Sequence, residues 1–402
     1  MISTGIVAEY NPFHNGHQYQ VKEAREMTEA DVIIAVMSGN FLQRGEPALI
    51  SKWSRTEMAL KGGVDIVIEL PYAFAVQQAE HFAAGAIRLL DELGCDHVCF
   101  GSENGSIEPF LAAANLVKER LTIYNKAVEA NMKEGMSYPS ALSRAFESLC
   151  PGEDMLDLSK PNNILGYRYV SSVIDLQSNM KPCTVKRKHA EYHDENFGEG
   201  TIASATAIRK AIYDKKLDAI KPYVPDTTFL QLEAYKAAFG QHHFWDLYWP
   251  FLQYRILTMK PQELRRIYEM EEGIEFRIKK AAGTAASFHD FITAVKTKRY
   301  TWTRIQRICV HILTNTNKST MAEHGSAPEY IRLLGMTDAG RMYLNKVKSR
   351  LSLPLVSKLS SWPEKLMEMD IRAGLVYAQG LPSPVRKKLS RMEYAQPPIL
   401  AP

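Results

Sequence analysis

The chain has 402 residues, 46% apolar and 23% charged, the proportions of an ordinary folded protein with length for two or three domains. No apolar run approaches the roughly 18 residues of a helical membrane span, and the opening "MISTGIVAEY" reads as a strand rather than a secretory leader, so a cytoplasmic location is expected. The net charge of +4 is unevenly divided: residues 241–402 hold 25 Lys/Arg against 14 Asp/Glu, and the remainder is acidic. A basic half beside an acidic one points to a polyanionic partner, although lysine-rich solvated helix faces would give the same count.

Along the chain, Val- and Ile-rich runs recur: "STGIVAEY", "ADVIIAVMSG" (30–39), "VDIVIELP" (64–71), "CDHVCFGSE" (95–103) and "KPCTVKRK" (181–188). Their almost continuous hydrophobicity predicts strands buried on both faces of a parallel sheet. Helical patterns such as "HQYQVKEAREMTE" and "QQAEHFAAGAIRLLDELG" lie between them. This alternation predicts an α/β, doubly wound, Rossmann-like domain over residues 1–215, with ligands at the carboxyl ends of the strands. From residue 216 helical periodicity dominates, predicting a mainly helical, basic second domain (216–402) and a loosely ordered tail, "EYAQPPILAP". The five cysteines (Cys95, Cys99, Cys150, Cys183, Cys309) are scattered and lack zinc-ligand spacing, so reduced thiols and no protein metal site are expected.

The stretch "VAEYNPFHNGHQYQ" (7–20) carries the strongest chemistry. Pro12 ends the first strand, Gly16 permits close approach to the backbone, and the next helix offers free N–H groups and a positive dipole end. His14 and His17, three residues apart on its first turn, add donors suited to a triphosphate that gains charge during displacement. Two structural histidines at a turn would be the plainer explanation if the stretch stood alone. Three other stretches also fall at strand ends. Gly101 lies in "VCFGSENG", where a side chain would block a nucleotide. Asn162 and Asn163 open a helix after Pro161 in "SKPNNILGYRYV". Arg187 and Lys188 follow the fifth strand, and Ser204, Thr206 and Arg209 open a further helix, a second arrangement suited to phosphate. Turn glycines and helix caps explain each of these singly.

The pair HNGH (14–17) and ASATAIR (203–209) resembles the signature of the HIGH-type nucleotidylyltransferases, with a departure from the usual ISSTxIR that keeps the second hydroxyl and the arginine. The resemblance implies attack on the α-phosphate of ATP with loss of pyrophosphate, His14 and His17 stabilising the transition state and Ser204, Thr206 and Arg209 holding the pyrophosphate end. Over the whole chain, "GIVAEYNPFHNGHQYQ", "VMSGNFLQRGEPALISKWSRTEMAL", "GVDIVIELP", "KPNNILGYRY" and "KRYTWTRIQRI" resemble the bacterial tRNA(Met) cytidine acetate ligase family. That resemblance implies activation of acetate by ATP and acetylation of N4 of the wobble cytidine of elongator tRNA(Met). It also implies an ATP site of Val7, Ala8, Glu9, Tyr10, Asn11, Pro12, Phe13, His14, Asn15, Gly16, His17, Gln18, Tyr19 and Gln20 together with Gly101, Asn162 and Arg187. Magnesium normally accompanies ATP in such sites. Acetate is ionised at neutral pH and needs no general base to attack phosphorus, which suits a site of phosphate donors without a catalytic carboxylate pair.

Two further stretches bear on substrates. In "SGNFLQRGEPALISKWSR" (38–55), Gln43, Arg44, Lys52 and Arg55 are candidate substrate or phosphate ligands, or simply a surface loop and helix. "VKTKRYTWTRIQRICVHIL" (295–313) interleaves Lys298, Arg299, Arg304 and Arg307 with Tyr300 and Trp302, a pattern of phosphate-binding cations and base-stacking rings. On a helix from Thr301 the buried stripe would be Ile305, Ile308 and Ile312, with Arg304 and Arg307 more exposed and the two rings alternatively in the core. The expected partner is the anticodon arm of the tRNA; nothing points to a membrane or protein partner. A nucleotidylyltransferase joining AMP to a small phosphorylated metabolite would share the HNGH site without needing the basic half. A non-catalytic tRNA- or nucleotide-binding protein would not need both histidines. No KMSKS-like loop occurs, which argues against an aminoacyl-tRNA synthetase.

Overall fold

The five expected runs form strands Ser3–Ala8 (β1), Val32–Ser38 (β2), Ile66–Leu70 (β3), His97–Ser102 (β4) and Lys181–Lys186 (β5). These belong to a computed structural model that describes residues 1–149, 156–187, 200–271 and 273–402. Every residue of β2 and β3 is buried, as continuous apolar runs in a covered parallel sheet require. All five strands are parallel in the order β5-β4-β1-β2-β3. The chain winds outward one way from β1 through β2 to β3 and the other way from β4 to β5. The strand order therefore reverses beside β1, and a crevice opens there at the carboxyl ends of β1 and β4.

Helices fill the intervals. Asn15–Thr28 follows β1, Lys52–Lys61 follows β2, and Ala79–Glu92 precedes β4. Among the described residues four helices, ending with Pro161–Asp175, lie between β4 and β5. Gly166 lets that last helix approach the sheet, since a Cβ there would meet Phe100 at 2.3 Å.

Beyond residue 216 helices predominate, but three strands the sequence pattern did not reveal come from this region. Ile331–Thr337 (β6) pairs antiparallel with β3, and Leu355–Val356 (β7) and Ile399–Ala401 (β8) pair parallel with β6. The sheet is thus mixed at this edge, and the tail expected to be loose is held in register, Gly335 opposite Ile399. One apolar cluster runs without a break from Ile6 in β1 to Leu389 near the end of the chain.

Buried charge fastens the late segments to the sheet. Lys52 Nζ lies 2.8 Å from Glu69 and 2.7 Å from Glu393, and Arg332 of β6 reaches the same two carboxylates at 3.3 and 2.6 Å. All four side chains are at most 4% exposed. Burial raises the pKa of the Glu393 carboxyl, but Lys52 and Arg332 outweigh it and leave the value below normal. Two cations on two anions leave little net buried charge, and deleting one member breaks that balance. Lys52→Met should lower stability by about 3–5 kcal/mol in urea denaturation. By contrast, Lys22→Met, at a pair whose partners are 70% and 62% exposed, should leave the midpoint unchanged.

Candidate active site

At the carboxyl end of β1 the chain turns through Tyr10 (φ +48°) and a cis Asn11–Pro12 peptide into the Asn15–Thr28 helix. His14 caps that helix: its Nδ1 accepts the Gly16 N–H at 3.0 Å. Gly16 makes the cap possible, because a Cβ would lie 2.9 Å from the His14 ring. His17 folds back, its Nδ1 accepting the His14 N–H at 3.2 Å, and the two imidazoles stack with centroids 3.7 Å apart.

This geometry fixes the chemistry of the pair. An Nδ1 that accepts a backbone N–H carries no proton, so in each neutral ring the hydrogen sits on Nε2. Burial lowers the His14 pKa well below its ordinary value, with His17, Arg187 and Arg209 adding to the shift. Burial and then Arg187 bring His17 down to about 3. At neutral pH the pair is therefore two uncharged Nε2–H donors, suited to hydrogen-bond an anion without themselves transferring a proton.

Both histidines line a cavity at the strand reversal, together with Val7, Ala8, Glu9, Tyr10, Asn11 and Gln20. Gly101, Asn162, Arg187, Ser204, Thr206 and Arg209 line the same cavity. The four separated stretches thus meet at one place. At Gly101 the nearest atom that a Cβ would meet is Arg187 Cγ, at 3.4 Å, so a side chain would fit the protein but occupy cavity space. Asn162 donates to Glu103 at 2.7 Å. Ser204 caps the Ala205–Tyr213 helix by accepting the Ala207 N–H. Arg209 donates to the Asn11 carbonyl at 3.1 Å and lies 3.4 Å from Glu46. The Tyr10 hydroxyl and Asn11 Nδ2 are buried without a hydrogen-bond partner among the described residues. A polar ligand in this cavity is the natural partner for such donors.

Other expected residues lie elsewhere. Pro12, Phe13, Asn15 and Gln18 do not line the cavity. Phe13 is fully buried, Gln18 faces solvent, and the Asn15 amide donates to the carbonyls of Thr201 and Pro222, which makes it a tie between segments. Tyr19 lines a smaller adjoining cavity with Gly16 and Lys186. Asn163 is buried and donates to the Asp157 carbonyl. Lys188 lies outside the described residues. In the 38–55 stretch, Gln43 and Arg44 reach the cavity, but Lys52 and Arg55 are fully buried structural groups.

Several lining residues escaped sequence reading: Glu46, Phe82, Phe100, Leu165 and Tyr169. Asn162, Leu165 and Tyr169 stand at helical spacing on Pro161–Asp175, and following that face would have found them. Glu9 carries out a task that its place in the motif did not reveal. Burial raises its pKa, opposed by the Gln43 N–H, which its Oε1 accepts at 2.7 Å. It thereby ties the end of β1 to the loop after β2.

The expected RNA-facing helix, Trp302–Leu313, starts at its Thr301 cap and buries Ile305, Ile308 and Ile312 as the pattern required. Two expectations there are corrected. Arg307 is buried, paired with Glu269 at 2.8 Å, and Tyr300 is 4% exposed beneath the Arg304 guanidinium, 4.2 Å from its ring. Arg299 donates to the Met132 carbonyl, Trp302 and Arg304 are half-buried, and Lys298 is exposed.

A crevice at a strand reversal that presents paired neutral histidines and two arginines defines a nucleotidyl-transferring class of site. The HIGH Nucleotidyl Transferase family model matches residues 1–392. A tRNA(Met) cytidine acetate ligase of Geobacillus sp. (strain WCH70) is 50% identical over 403 residues, covering 100% of both chains. That of Bacillus subtilis (strain 168) is 48% identical, covering 99% of this chain and 97% of its own. The crystal structure of Thermotoga maritima TmcAL bound with alpha-thio ATP superposes with a TM-score of 0.90 at 33% identity, covering 100% of this chain and 99% of that one. The chain belongs to the HIGH nucleotidyl transferase family and, within it, to the tRNA(Met) cytidine acetate ligases.

The lowered histidine pKa values have a consequence for stability. His243 and His311 are, like His17, brought by burial to about 3. In the unfolded chain these groups titrate near 6.5, so below that pH the unfolded state binds protons that the folded state does not. Stability is complete above pH 6.5 and should fall as pH drops toward 3, by up to about 1.4 kcal/mol per pH unit for each histidine. Urea midpoints at pH 7.5, 6 and 5 test this; a flat profile would show that the rings are hydrated.

Proposed function

We propose that the protein activates acetate with ATP, forming acetyl-adenylate and pyrophosphate, and then acetylates N4 of the wobble cytidine of elongator tRNA(Met). The carrying observation is the stacked pair of neutral histidines with both Nδ1 atoms tied to backbone, beside Arg187 and Arg209. The relatives' names and the ATP analogue bound by the Thermotoga protein support the reading. Acetate oxygen attacks the α-phosphorus while pyrophosphate leaves. Two Nε2–H donors can follow the growing charge there without surrendering a proton. The cytidine amine then attacks the acetyl carbon, the bond to the phosphate oxygen breaks, AMP leaves, and the amine loses a proton.

In this reading His14 and His17 are the catalytic pair. Residues 7–11, Gln20, Gly101, Asn162, Arg187, Ser204, Thr206 and Arg209 surround ATP. No cluster of three or more His, Cys, Asp or Glu able to hold a metal occurs among the described residues. Magnesium would enter as an ion carried by the phosphates of ATP, where it would screen their charge. No helix among the described residues is long and apolar enough to cross a membrane. A reaction that consumes ATP and tRNA would take place where both are found, in the cytoplasm.

Acetate-dependent ATP–pyrophosphate exchange, followed by nucleoside mass analysis of added tRNA, tests both half-reactions. Exchange plus N4-acetylcytidine is expected, and His14→Ala and His17→Ala should each abolish exchange. ATP binding without exchange would turn the assignment toward transfer of AMP to a phosphorylated metabolite.

The burial of Arg307 also sharpens the RNA reading. Lys298→Glu, at an exposed position, should weaken tRNA binding and flatten its salt dependence with unchanged stability. Arg307→Glu would instead bury two carboxylates together and lower stability by about 3–5 kcal/mol. Filter binding across a salt series, with urea melts, distinguishes the two; unaltered tRNA affinity in Lys298→Glu would remove this residue from the interface.

A further inference from the structure

Next to the ATP cavity lies a second, open groove of about 500 Å³, within the size range of ligand sites. Glu46 and Arg209 line both spaces, so the groove adjoins the candidate active site across this ion pair. Its floor is built: Trp245 and Phe288 stack at 4.1 Å, and Trp245 Nε1 donates to the Gly45 carbonyl at 3.1 Å. Gly45 holds the loop against the Trp302–Leu313 helix with φ +77°, where a Cβ would strike the Arg307 backbone at 2.3 Å. The groove also presents Tyr213 edge-on to Phe244 at 5.0 Å, and His289 beside Trp302 at 5.4 Å.

We propose that this groove is the binding site for an unpaired nucleotide of the RNA substrate, its base stacked against Tyr213 or Trp302 and led past Glu46 to the acyl-adenylate. The inference rests on the function proposed above. Aromatic rings at an exposed groove suit the faces of unpaired bases. The charges favour a base over a phosphate, because Arg209 in the same lining is already paired with Glu46, and Glu46 and Asp246 are acceptors of the kind that match the exocyclic amine of cytosine. Adjacency to the ATP cavity selects the occupant, since an amine nucleophile must reach the acetyl group from a side that the nucleotide does not fill.

The test uses a fluorescent anticodon stem-loop with a wobble cytidine, titrated with full-length protein without ATP. Tyr213 is 54% exposed, so its truncation leaves the core intact. Tyr213→Ala and Trp302→Ala should each weaken binding about tenfold, with the salt slope unchanged, because stacking displaces no counterions. Tyr213→Phe should bind normally, and acetate-dependent exchange should persist in all three. Wild-type RNA affinity in both alanine variants overturns the groove. Loss of salt dependence in Tyr213→Ala would overturn it as a base site. Absence of exchange in the wild-type protein would overturn the adenylate reading instead, and the RNA titration would still decide the groove.

Discussion

The crevice depends on one buried cation. Arg55 is fully buried, and its guanidinium donates to four backbone carbonyls: Ile50, Glu9 at 2.6 Å, Ser38 at 3.0 Å, and Gly39. Glu9 lies just past the end of β1, and Ser38 and Gly39 lie at the end of β2. Strand ends in a parallel sheet leave carbonyls that lack ladder partners, and a fork of five N–H donors can satisfy several of them at once. Burial lowers the Arg55 pKa to about 10, so it remains charged at neutral pH and its hydrogen bonds are charge-assisted. Lysine could not span the same four acceptors. The turn that delivers His14 and His17 therefore starts from an anchored point.

A second consequence concerns the loop after β2. Asn11 Oδ1 accepts the Leu49 N–H at 2.7 Å, Glu9 accepts the Gln43 N–H, and Arg55 holds Ile50. The loop is thus fastened at two places from the β1 side and at a third from the helix that follows it, while Gly45 seats it against the helix 302–313. The Lys52–Glu69–Arg332–Glu393 group then connects the following helix with β3, β6 and the helix Ser383–Ala395. The late helical segments are consequently tied to the same framework as the turn that carries His14 and His17. That tie is required if one part of the chain is to bring a nucleobase to a reactive group held by another.

The central strands and the site were legible because each depends on local sequence. Val/Ile runs specify buried strands, and the Pro-Phe-His-Asn-Gly-His turn (12–17) supplies its own cap in His14. What was not legible depends on partners distant in the chain. Lys52 and Arg55 look like surface cations until Glu69, Glu393 and the strand-end carbonyls surround them. Arg307 falls on the polar side of its helix by periodicity, but Glu269 covers that side. β6 is a short apolar run whose role is set by its pairing with β3, and β8 is three residues whose order comes wholly from β6. Phe82 came from a segment with no motif, and Glu46, though inside the stretch 38–55, had nothing local to mark it beside Gln43 and Arg44, so only the fold could assemble them.

The electrostatics of the cavity also separate binding from proton transfer. A histidine near its ordinary pKa could act as a base toward the cytidine amine, but these two have their Nδ1 lone pairs engaged by backbone N–H groups and carry hydrogen on Nε2. They are suited to steady an oxyanion and poorly suited to accept a proton. An aromatic amine attacking an acyl phosphate anhydride becomes strongly acidic only as the new C–N bond forms, so an acceptor is needed late and near the acetyl carbon. Glu46, shared by the two cavities and balanced by Arg209 at 3.4 Å, stands where the amine would enter. The ion pair orients that carboxylate at the junction, where in the proposed arrangement it faces the incoming amine.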